Sequence, residues 1–422
     1  MKVLIKKARI VDPSLDAKEV VMDILIEKGH IVQIESSLSA PDARLIEGND
    51  LHVFPGFFDI GVQANDPGME YREDFDSLRS AAAAGGYTGV AVFPNTKPTM
   101  QSKSEIKYCT NYNADAVPTE LIPIGAISEN CSGEELAEIL DMKEAGARAF
   151  SDGKYPLQSA GLMQRILEYA RIFDGLIINR PVNTQLIREG QMHEGYTSTT
   201  LGLKGVPSLV EELMLKRDIA LLEYTQSRLL VHCLSSAEGV ELVRKAKADG
   251  LDIKASVSIW SLIYTEESLV EFDTNYKMQP VLRSAEDKKA LIEGVLDGTI
   301  DIIVSNHDPK EQEVKFLEFP YAESGVIGLQ TVLAAYEMEL SDKIPLQNFI
   351  QCISINSRKA LNVNIPSVSV GQRVNIVVFD KGKSWVFDKN SNQSKSINSP
   401  FWDKSLPFKH VVSLNGLYSF NY

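Results

Sequence analysis

The chain has 422 residues, of which 44% are hydrophobic and 24% charged, and its formal net charge is −14. This length suits a large domain with a smaller partner domain, and the acidic balance argues against a groove for nucleic acid. No signal peptide and no apolar run long enough to cross a bilayer is recognised, so we predict a cytoplasmic protein with no nucleic-acid or membrane partner.

Short strands separated by turn residues are predicted at both ends of the chain. Neither end carries enough strands for a stable sheet of its own. We therefore expect the two ends to pair into one small β-sandwich domain, built from residues 1–53 and 362–422. The predicted strands are Val3–Ile10, Met22–Glu27, His30–Glu35, Val374–Phe379, Ser384–Asp388 and Val411–Leu414.

Between these ends, residues 54–361 repeat a unit of strand, loop and helix. The strand segments are continuous apolar runs, which are typical of parallel strands buried on both faces. Eight such units predict an α/β fold in which the strands close into a (β/α)8 barrel of the TIM type. The eight segments are Phe57–Gln63, Gly89–Asn95, Glu120–Ser128, Ala147–Asp152, Leu176–Val182, Leu229–Ser235, Asp252–Ile259 and Ile300–Asn306.

Histidine is scarce, and this bears on any metal site. The chain has six histidines, and no two of them lie at HxH or HExxH spacing. A dinuclear hydrolytic site usually needs several neutral imidazoles. The four cysteines form no CxxC pair, so we expect them to be reduced thiols in the core.

Motifs at the ends of the predicted strands follow one another in the order of a known family. They are Phe54–Asp59, Asp66–Gly68, Glu70–Asp74, Ala82–Thr88, Pro94–Pro98, His193–Gly195, Lys277–Met278, Leu282–Arg283 and Asp297–Asp301. From Pro55 to about residue 400 the chain resembles the dihydroorotases of multifunctional pyrimidine-synthesis complexes, within the amidohydrolase superfamily. The resemblance implies that one or two zinc ions activate a water, which attacks a ring amide while a carboxylate after strand 8 takes the proton.

By position, the first and last barrel strands lack the residues that this resemblance implies. The family's His-x-His pair on strand 1 falls on Gly61 and Gln63. The arginine that should hold the substrate carboxylate falls on Asn65, which loses a charge-assisted contact. The aspartate after strand 8 falls on Asn306, and an amide cannot act as a base near neutral pH.

The remaining metal positions keep one carboxylate. Asp152 matches the family's ligand on strand 4, and the strand-6 histidine falls on Cys233, with His232 one place earlier on the opposite face. The other metal positions hold residues that are not usual zinc ligands. Asn179 replaces the strand-5 histidine, and Trp260-Ser261 replaces the pair of histidines after strand 7.

Structural roles are the alternative for each of these residues. Asp152 is then a carboxylate that caps a loop, and His232 is a hydrogen-bonded wall residue. Cys233 is then inert packing, because buried lone cysteines rarely react. The Trp260 indole is expected to fill the volume that metal and imidazoles leave. His307 stands beside Asp308, but adjacent residues rarely face each other, so we do not expect an acid–base pair there.

We predict a dihydroorotase-family protein of pyrimidine biosynthesis that is inactive or severely impaired and binds no cofactor. Its barrel would serve as a structural partner, either in a homo-oligomer or with aspartate transcarbamoylase or another enzyme of the pathway. One alternative is an active zinc-dependent dihydroorotase or related cyclic amidohydrolase that uses Asp152 with Cys233 or His232, and His307 as a further candidate. The other alternative is a metabolite-binding module. The residues expected to line the substrate pocket are Asn65, Asn95, Gln279 and His307.

Overall fold

The computed structural model describes residues 2–15, 20–114 and 117–421. In chain order the strands are β1 Lys2–Ile10, β2 Val20–Glu27, β3 His30–Glu35, β4 Arg44–Ile46, β5 Leu51–Pro55, β6 Phe57–Val62, β7 Tyr87–Val92, β8 Glu120–Gly125, β9 Ala149–Phe150, β10 Leu176–Asn179, β11 Met192–His193, β12 Gly205–Val206, β13 Arg228–Val231, β14 Ile253–Ser258, β15 Ile302–Val304, β16 Asn375–Asp380, β17 Trp385–Phe387, β18 Lys404–Leu406, β19 Lys409–Asn415 and β20 Tyr418–Asn421.

The α-helices lie mainly between the parallel strands. They are α1 Phe75–Ala84, α2 Lys103–Asn111, α3 Ile139–Ala145, α4 Ala160–Arg171, α5 Thr184–Ile187, α6 Tyr196–Leu201, α7 Leu209–Thr225, α8 Ala237–Ala248, α9 Ile259–Ile263, α10 Ala285–Leu296, α11 Gln312–Lys315, α12 Val332–Glu339, α13 Leu346–Ile350 and α14 Asn356–Ala360. In the described ranges, none of them combines the length and the apolar character that a membrane span requires.

The central sheet is parallel and follows the order β6-β7-β8-β9-β10-β13-β14-β15. Its first and last strands meet where the backbone N–H of Gln63 donates to the carbonyl oxygen of His307 over 3.0 Å. Each of the eight predicted strand segments overlaps one of these strands, so the predicted (β/α)8 barrel is confirmed. The strands are apolar on both faces because one face packs into the barrel interior and the other packs under the helices.

Most strands from the two ends of the chain form a second sheet, as predicted, whereas β17, within the predicted strand Ser384–Asp388, pairs with β18 in a separate two-stranded sheet. The order of the second sheet is β20-β19-β16-β5-β1-β2-β3, with β4 also paired to β1. Strand β16 joins the two ends, because it runs antiparallel to β5 with Val377 opposite Phe54. Strand β1 changes partner along its length, pairing first with β4 and then with β5, and a bulge at Lys7 (φ 47°) separates the two halves.

A segment near the C-terminus crosses the C-terminal end of the barrel, and we call residues 394–398 the mouth strap. The Ser394 hydroxyl donates to the Glu73 carboxylate. The Asn398 side chain accepts from the Lys310 backbone N–H at 3.2 Å and donates to the Asp308 carbonyl at 3.1 Å. These contacts tie the strap to the loops that follow the first and last barrel strands.

Candidate functional site

The C-terminal ends of the barrel strands surround a cavity of about 20 Å³. That volume holds about one water molecule, whereas ligand pockets usually measure about 300–1,000 Å³. A larger cavity of about 700 Å³ lies beside the start of β15, at the opposite end of the barrel from where catalytic groups sit. The small cavity at the barrel mouth is lined by Gly61, Gln63, Lys154, Arg180, Gln279, Asn306, His307, Asp308, Gly325 and Val326.

Gly61 leaves no room for a side chain at the first metal position. Its φ is +89°, and a Cβ built on it would lie 2.6 Å from the Phe93 ring and 2.7 Å from the His232 ring. Both contacts are closer than packed atoms tolerate, so Phe93 and His232 occupy the space that a ligand would need. The amide of Gln63, at the second position, instead donates to the Asn95 side-chain oxygen over 3.3 Å.

The Asp152 carboxylate is fully engaged by the loop after β8. One oxygen accepts from the backbone N–H groups of Ile127 and Ser128 at 2.9 Å each, and the other accepts from the Ser128 hydroxyl at 2.5 Å. Burial raises the pKa of Asp152, and these hydrogen bonds oppose that rise. The geometry favours a loop-capping carboxylate over a metal ligand.

His232 and Cys233 lie together in the barrel interior. The His232 ring nitrogens lie 3.2 Å from the Ser256 hydroxyl and 3.3 Å from the Cys233 sulfur. Burial, together with the nearby charge of Arg180, holds the pKa of His232 well below its usual value. Burial raises the pKa of Cys233 to about 12, so the thiol is protonated at neutral pH. Both ring nitrogens of His232 thus have protein partners, one of which is the Cys233 sulfur, and this geometry favours structural roles for the two residues.

The two asparagines at lost histidine and aspartate positions have structural partners. Asn179 donates to the Asp218 carboxylate at 2.7 Å and accepts from the Leu157 backbone N–H at 3.1 Å. Asn306 donates to the Gln279 carbonyl oxygen at 2.9 Å. Asn306 thus fixes the loop that follows β14.

His307 pairs with a carboxylate that lies far away in the sequence. Its Nδ1 accepts from the Gly328 backbone N–H at 3.3 Å, so Nε2 carries the proton and faces the Glu73 carboxylate at 3.3 Å. Both side chains are buried, at 1% and 0% exposure. The neighbouring Asp308 is instead 3.1 Å from the Lys310 ammonium. As expected from the sequence, His307 and Asp308 form no acid–base pair.

Trp260 lies outside the barrel interior, in the layer between strands and helices. Its indole N–H donates to the Ser305 carbonyl at 3.0 Å, and its ring packs against Phe401 at 5.5 Å between centroids. The prediction that Trp260 fills the volume left by metal and imidazoles is therefore wrong. The interior cluster contains Phe93 instead, and the His232 ring packs against it at 5.1 Å. A side chain that follows a strand end can point outward, which the sequence does not reveal.

The four residues predicted to line the substrate pocket separate into two groups. Gln279 and His307 line the cavity, as do three of the altered family positions, Gly61, Gln63 and Asn306. Asn95 lies behind Gln63, where it donates to the Asp152 carbonyl oxygen at 3.0 Å. Asn65 is buried, is absent from the cavity lining, and its Nδ2 has no hydrogen-bond partner in the described structure.

The donor residues at the barrel mouth do not fit the zinc site that the family resemblance implies. Across residues 2–15, 20–114 and 117–421, no group of three or more His, Cys, Asp and Glu side chains could hold a metal ion. Gly61 has no donor atom, and the Asp152 oxygens already accept three hydrogen bonds. We therefore assign no catalytic step to a metal at this site.

Two cationic side chains that the sequence analysis did not identify line the cavity. Lys154 follows Asp152 by two residues, and Arg180 directly follows Asn179 at the end of β10. Burial lowers the pKa of Lys154. Their positions just after strand ends were the signal that could have identified them, because the functional residues of such barrels lie at these ends and in the loops that follow.

Comparison with known proteins shows which family and which solved structures the chain is similar to. A family model described as dihydro-orotase-like matches residues 51–239. The dihydroorotase of Syntrophotalea carbinolica is 36% identical over 417 residues, covering 98% of this chain and 97% of that protein. The dihydroorotase of Acetivibrio thermocellus is 37% identical, covering 98% and 95%. The solved L-hydantoinase (dihydropyrimidinase) of Arthrobacter aurescens shares the fold with a TM-score of 0.84 at 22% identity, over 99% of this chain and 95% of that one.

Proposed function

Because the chain belongs to the dihydroorotase family, we propose that it acts in pyrimidine biosynthesis as a non-catalytic member whose barrel is kept for assembly. The proposal is supported by the small cavity and the side chains at the barrel mouth. Its cavity of about 20 Å³ has no room for a ring substrate, and the side chains around it form no metal-binding set among the described residues.

The expected loss of activity follows from the missing groups. A positioned general base contributes typically about 10²–10⁴-fold to a rate, and Asn306 cannot take that role. A bound metal would supply the nucleophilic water at neutral pH, but among the described residues no group of three or more His, Cys, Asp and Glu side chains could hold one. Since both contributions are lost together, a compensating residue would have to replace more than one function.

We expect the purified protein to hydrolyse dihydroorotate no faster than the uncatalysed reaction, both without zinc and after incubation with zinc. Elemental analysis of the purified chain should find well under one zinc per chain. Zinc-dependent turnover at an enzymatic rate would contradict the proposal and support the alternative of an active cyclic amidohydrolase with a rebuilt site.

The Asn306→Asp variant is the matched control for the lost base. If the missing carboxylate alone explained inactivity, this variant should gain about 10²–10⁴-fold in rate. We expect no gain, because Gly61, Gln63 and Asn179 would still provide no metal ligands. The same assay, with and without zinc, measures it.

An assembly role needs a surface for a partner, and the loops after β14 and β15 offer one. Phe272, Phe316 and Leu317 line a groove of about 490 Å³. Phe316 is 75% exposed and Leu317 is 44% exposed. Apolar side chains that are exposed together often mark protein interfaces. The proposed partners are a second copy of the chain and aspartate transcarbamoylase, in the cytoplasm, where the four buried free cysteines would stay reduced.

We expect the chain to co-purify with aspartate transcarbamoylase of the same organism after co-expression, at a mass above that of a monomer. The Phe316→Asp variant should lose this complex, because it places a charge on the apolar groove. Tyr196→Asp is the control, since Tyr196 is 86% exposed on the separate helix α6. A strictly monomeric mass without any complex would contradict the assembly role.

A further inference from the structure

We infer that a cavity between the terminal sheet and the barrel helices binds a small, uncharged, planar aromatic molecule that donates a hydrogen bond to His410. The cavity measures about 260 Å³ and shares no lining residue with the cavity at the barrel mouth. Its walls come from β16, β17 and β19, from Ala84 at the end of α1 and from Gln330 just before α12. Because the site is separate from the barrel mouth, it does not depend on the proposed function.

The His410 ring has one nitrogen without a partner. The Ser413 hydroxyl donates its only proton to the Ala83 carbonyl oxygen at 2.7 Å. The Nε2 of His410, which lies 2.9 Å from that hydroxyl oxygen, therefore carries the ring proton and donates it. Nδ1 is then a bare acceptor, and it is buried with no hydrogen-bond partner among the described residues. A ligand N–H or O–H group would supply the missing donor.

The protonation state of His410 agrees with this assignment. The residue is 7% exposed, and burial lowers the pKa of His410 to about 3. The ring is therefore neutral near pH 7, and Nδ1 keeps the lone pair that accepts a hydrogen bond. A buried acceptor without a donor is unfavourable, so a ligand that satisfies it gains affinity.

The other polar side chains in the wall are already engaged. The Gln330 amide donates to the Ser391 carbonyl oxygen at 3.0 Å and accepts from the Gln393 backbone N–H at 2.7 Å. The Asp388 carboxylate accepts from the Ser391 backbone N–H at 3.1 Å. The remaining charged residue of the wall, Lys409, is exposed to solvent. Because one carboxylate and one ammonium group line the cavity, its charges balance and favour an uncharged ligand.

The apolar walls and the volume define the shape of the ligand. Phe379 and Trp385 contribute aromatic rings, and Val386 contributes an aliphatic side chain. The Trp385 indole N–H donates to the Pro407 carbonyl oxygen at 3.1 Å, which fixes the orientation of its ring. Fixed aromatic rings favour a flat aromatic partner, stacked or edge-on. An apolar cavity of about 150 Å³ holds a benzene ring, so about 260 Å³ leaves room for a second, fused ring.

The test is calorimetric titration of the full-length protein with indole and with benzofuran. The two probes have nearly the same shape, but benzofuran has a ring oxygen in place of the indole N–H and cannot donate a hydrogen bond. We expect saturable binding of indole and about three- to tenfold weaker binding of benzofuran, which is the ratio that one hydrogen bond usually gives.

The His410→Phe variant keeps an aromatic ring but removes the acceptor, so it should bind indole no more tightly than benzofuran. The matched control is His30→Phe, at an exposed histidine of β3 outside the cavity wall, which should keep the preference for indole. Trp385→Ala leaves His410 in place and removes an aromatic wall, so it should weaken both probes at least about tenfold. It gives a second reading if His410→Phe does not fold.

The outcomes separate the site from its alternatives. Absence of saturable indole binding, equal wild-type affinity for the two probes, or a preference for indole that persists in His410→Phe would overturn the inference. Indole binding that Trp385→Ala leaves unchanged would place the probe elsewhere on the protein and would overturn it as well. Zinc-dependent hydrolysis of dihydroorotate would contradict the proposed function and leave this site unaffected, so the two failures are distinguishable.

Discussion

The Gly61→Ala substitution is expected to lower the free energy of unfolding by about 3 kcal/mol, which combines about 1–2 kcal/mol for the left-handed backbone with about 1–3 kcal/mol for overpacking. The physical reason is that a Cβ at this position meets the Phe93 ring at 2.6 Å and the His232 ring at 2.7 Å. Chemical denaturation of the purified variant, followed by tryptophan fluorescence, measures the change.

Gly250→Ala is the matched control for this prediction. Gly250 has a φ of +84°, close to that of Gly61, but a Cβ there meets nothing within 4 Å. The Gly250→Ala variant should therefore lose only about 1–2 kcal/mol of unfolding free energy, the contribution of the left-handed backbone. Equal losses in the two variants would mean that Phe93 and His232 yield easily, and that a side chain at residue 61 could be accommodated.

This pair of variants bears on whether the family's chemistry could be restored. A histidine at residue 61 is far larger than alanine, so it would require Phe93 and His232 to move first. The first metal position has therefore changed in its surroundings as well as in its own residue, and single substitutions at ligand positions are not expected to rebuild the site.

The Glu73→Ala substitution is expected to destabilise the fold by about 1–3 kcal/mol, as is typical when a buried hydrogen-bond donor loses its acceptor. Glu73 is fully buried, faces His307 at 3.3 Å, and accepts the Ser394 hydroxyl of the mouth strap. The variant therefore leaves the buried His307 ring N–H and the half-buried Ser394 hydroxyl without this acceptor. The loss should appear in denaturant unfolding, together with faster proteolysis near the strap.

Glu70→Ala serves as the control, because Glu70 lies in the same loop but is exposed, and its removal should change stability far less. A double-mutant cycle with His307→Ala isolates the pair. The two substitutions should be non-additive by about 0.5–3 kcal/mol, as contacting residues are. Additive losses would show that Glu73 acts mainly through the strap and not through His307.

Much of the fold could be predicted because it depends on local patterns of apolar and polar residues in the sequence. Eight apolar runs of similar length, each followed by a helix, indicate parallel strands whose two faces are both buried. The ends of the chain were predicted to pair because neither carries enough strands alone, and β16 beside β5 confirms this. The loss of family ligands at Gly61, Gln63 and Asn306 is likewise visible in the sequence, because it depends only on residue identity and position.

The direction in which individual side chains point was harder to predict from the sequence. Trp260 follows the end of β14 and was expected inside the barrel, but α9 begins there and places the indole in the outer layer. Lys154 and Arg180 were not singled out, because a cation after a strand can equally well point to solvent. Whether a charge has a partner depends on which loops meet at the mouth, and that is settled only when the barrel closes.

The sequence by itself therefore determined the barrel, the paired terminal strands and the absence of the family's ligands, since these follow from periodicity and residue chemistry. Only the tertiary structure decided what replaced the site: Phe93 and His232 in the ligand space, the Glu73–His307 pair, and the positions of Arg180 and Lys154 on the cavity wall. The reason is separation along the chain. Glu73 and His307 lie 234 residues apart, and no local pattern encodes a contact over that distance.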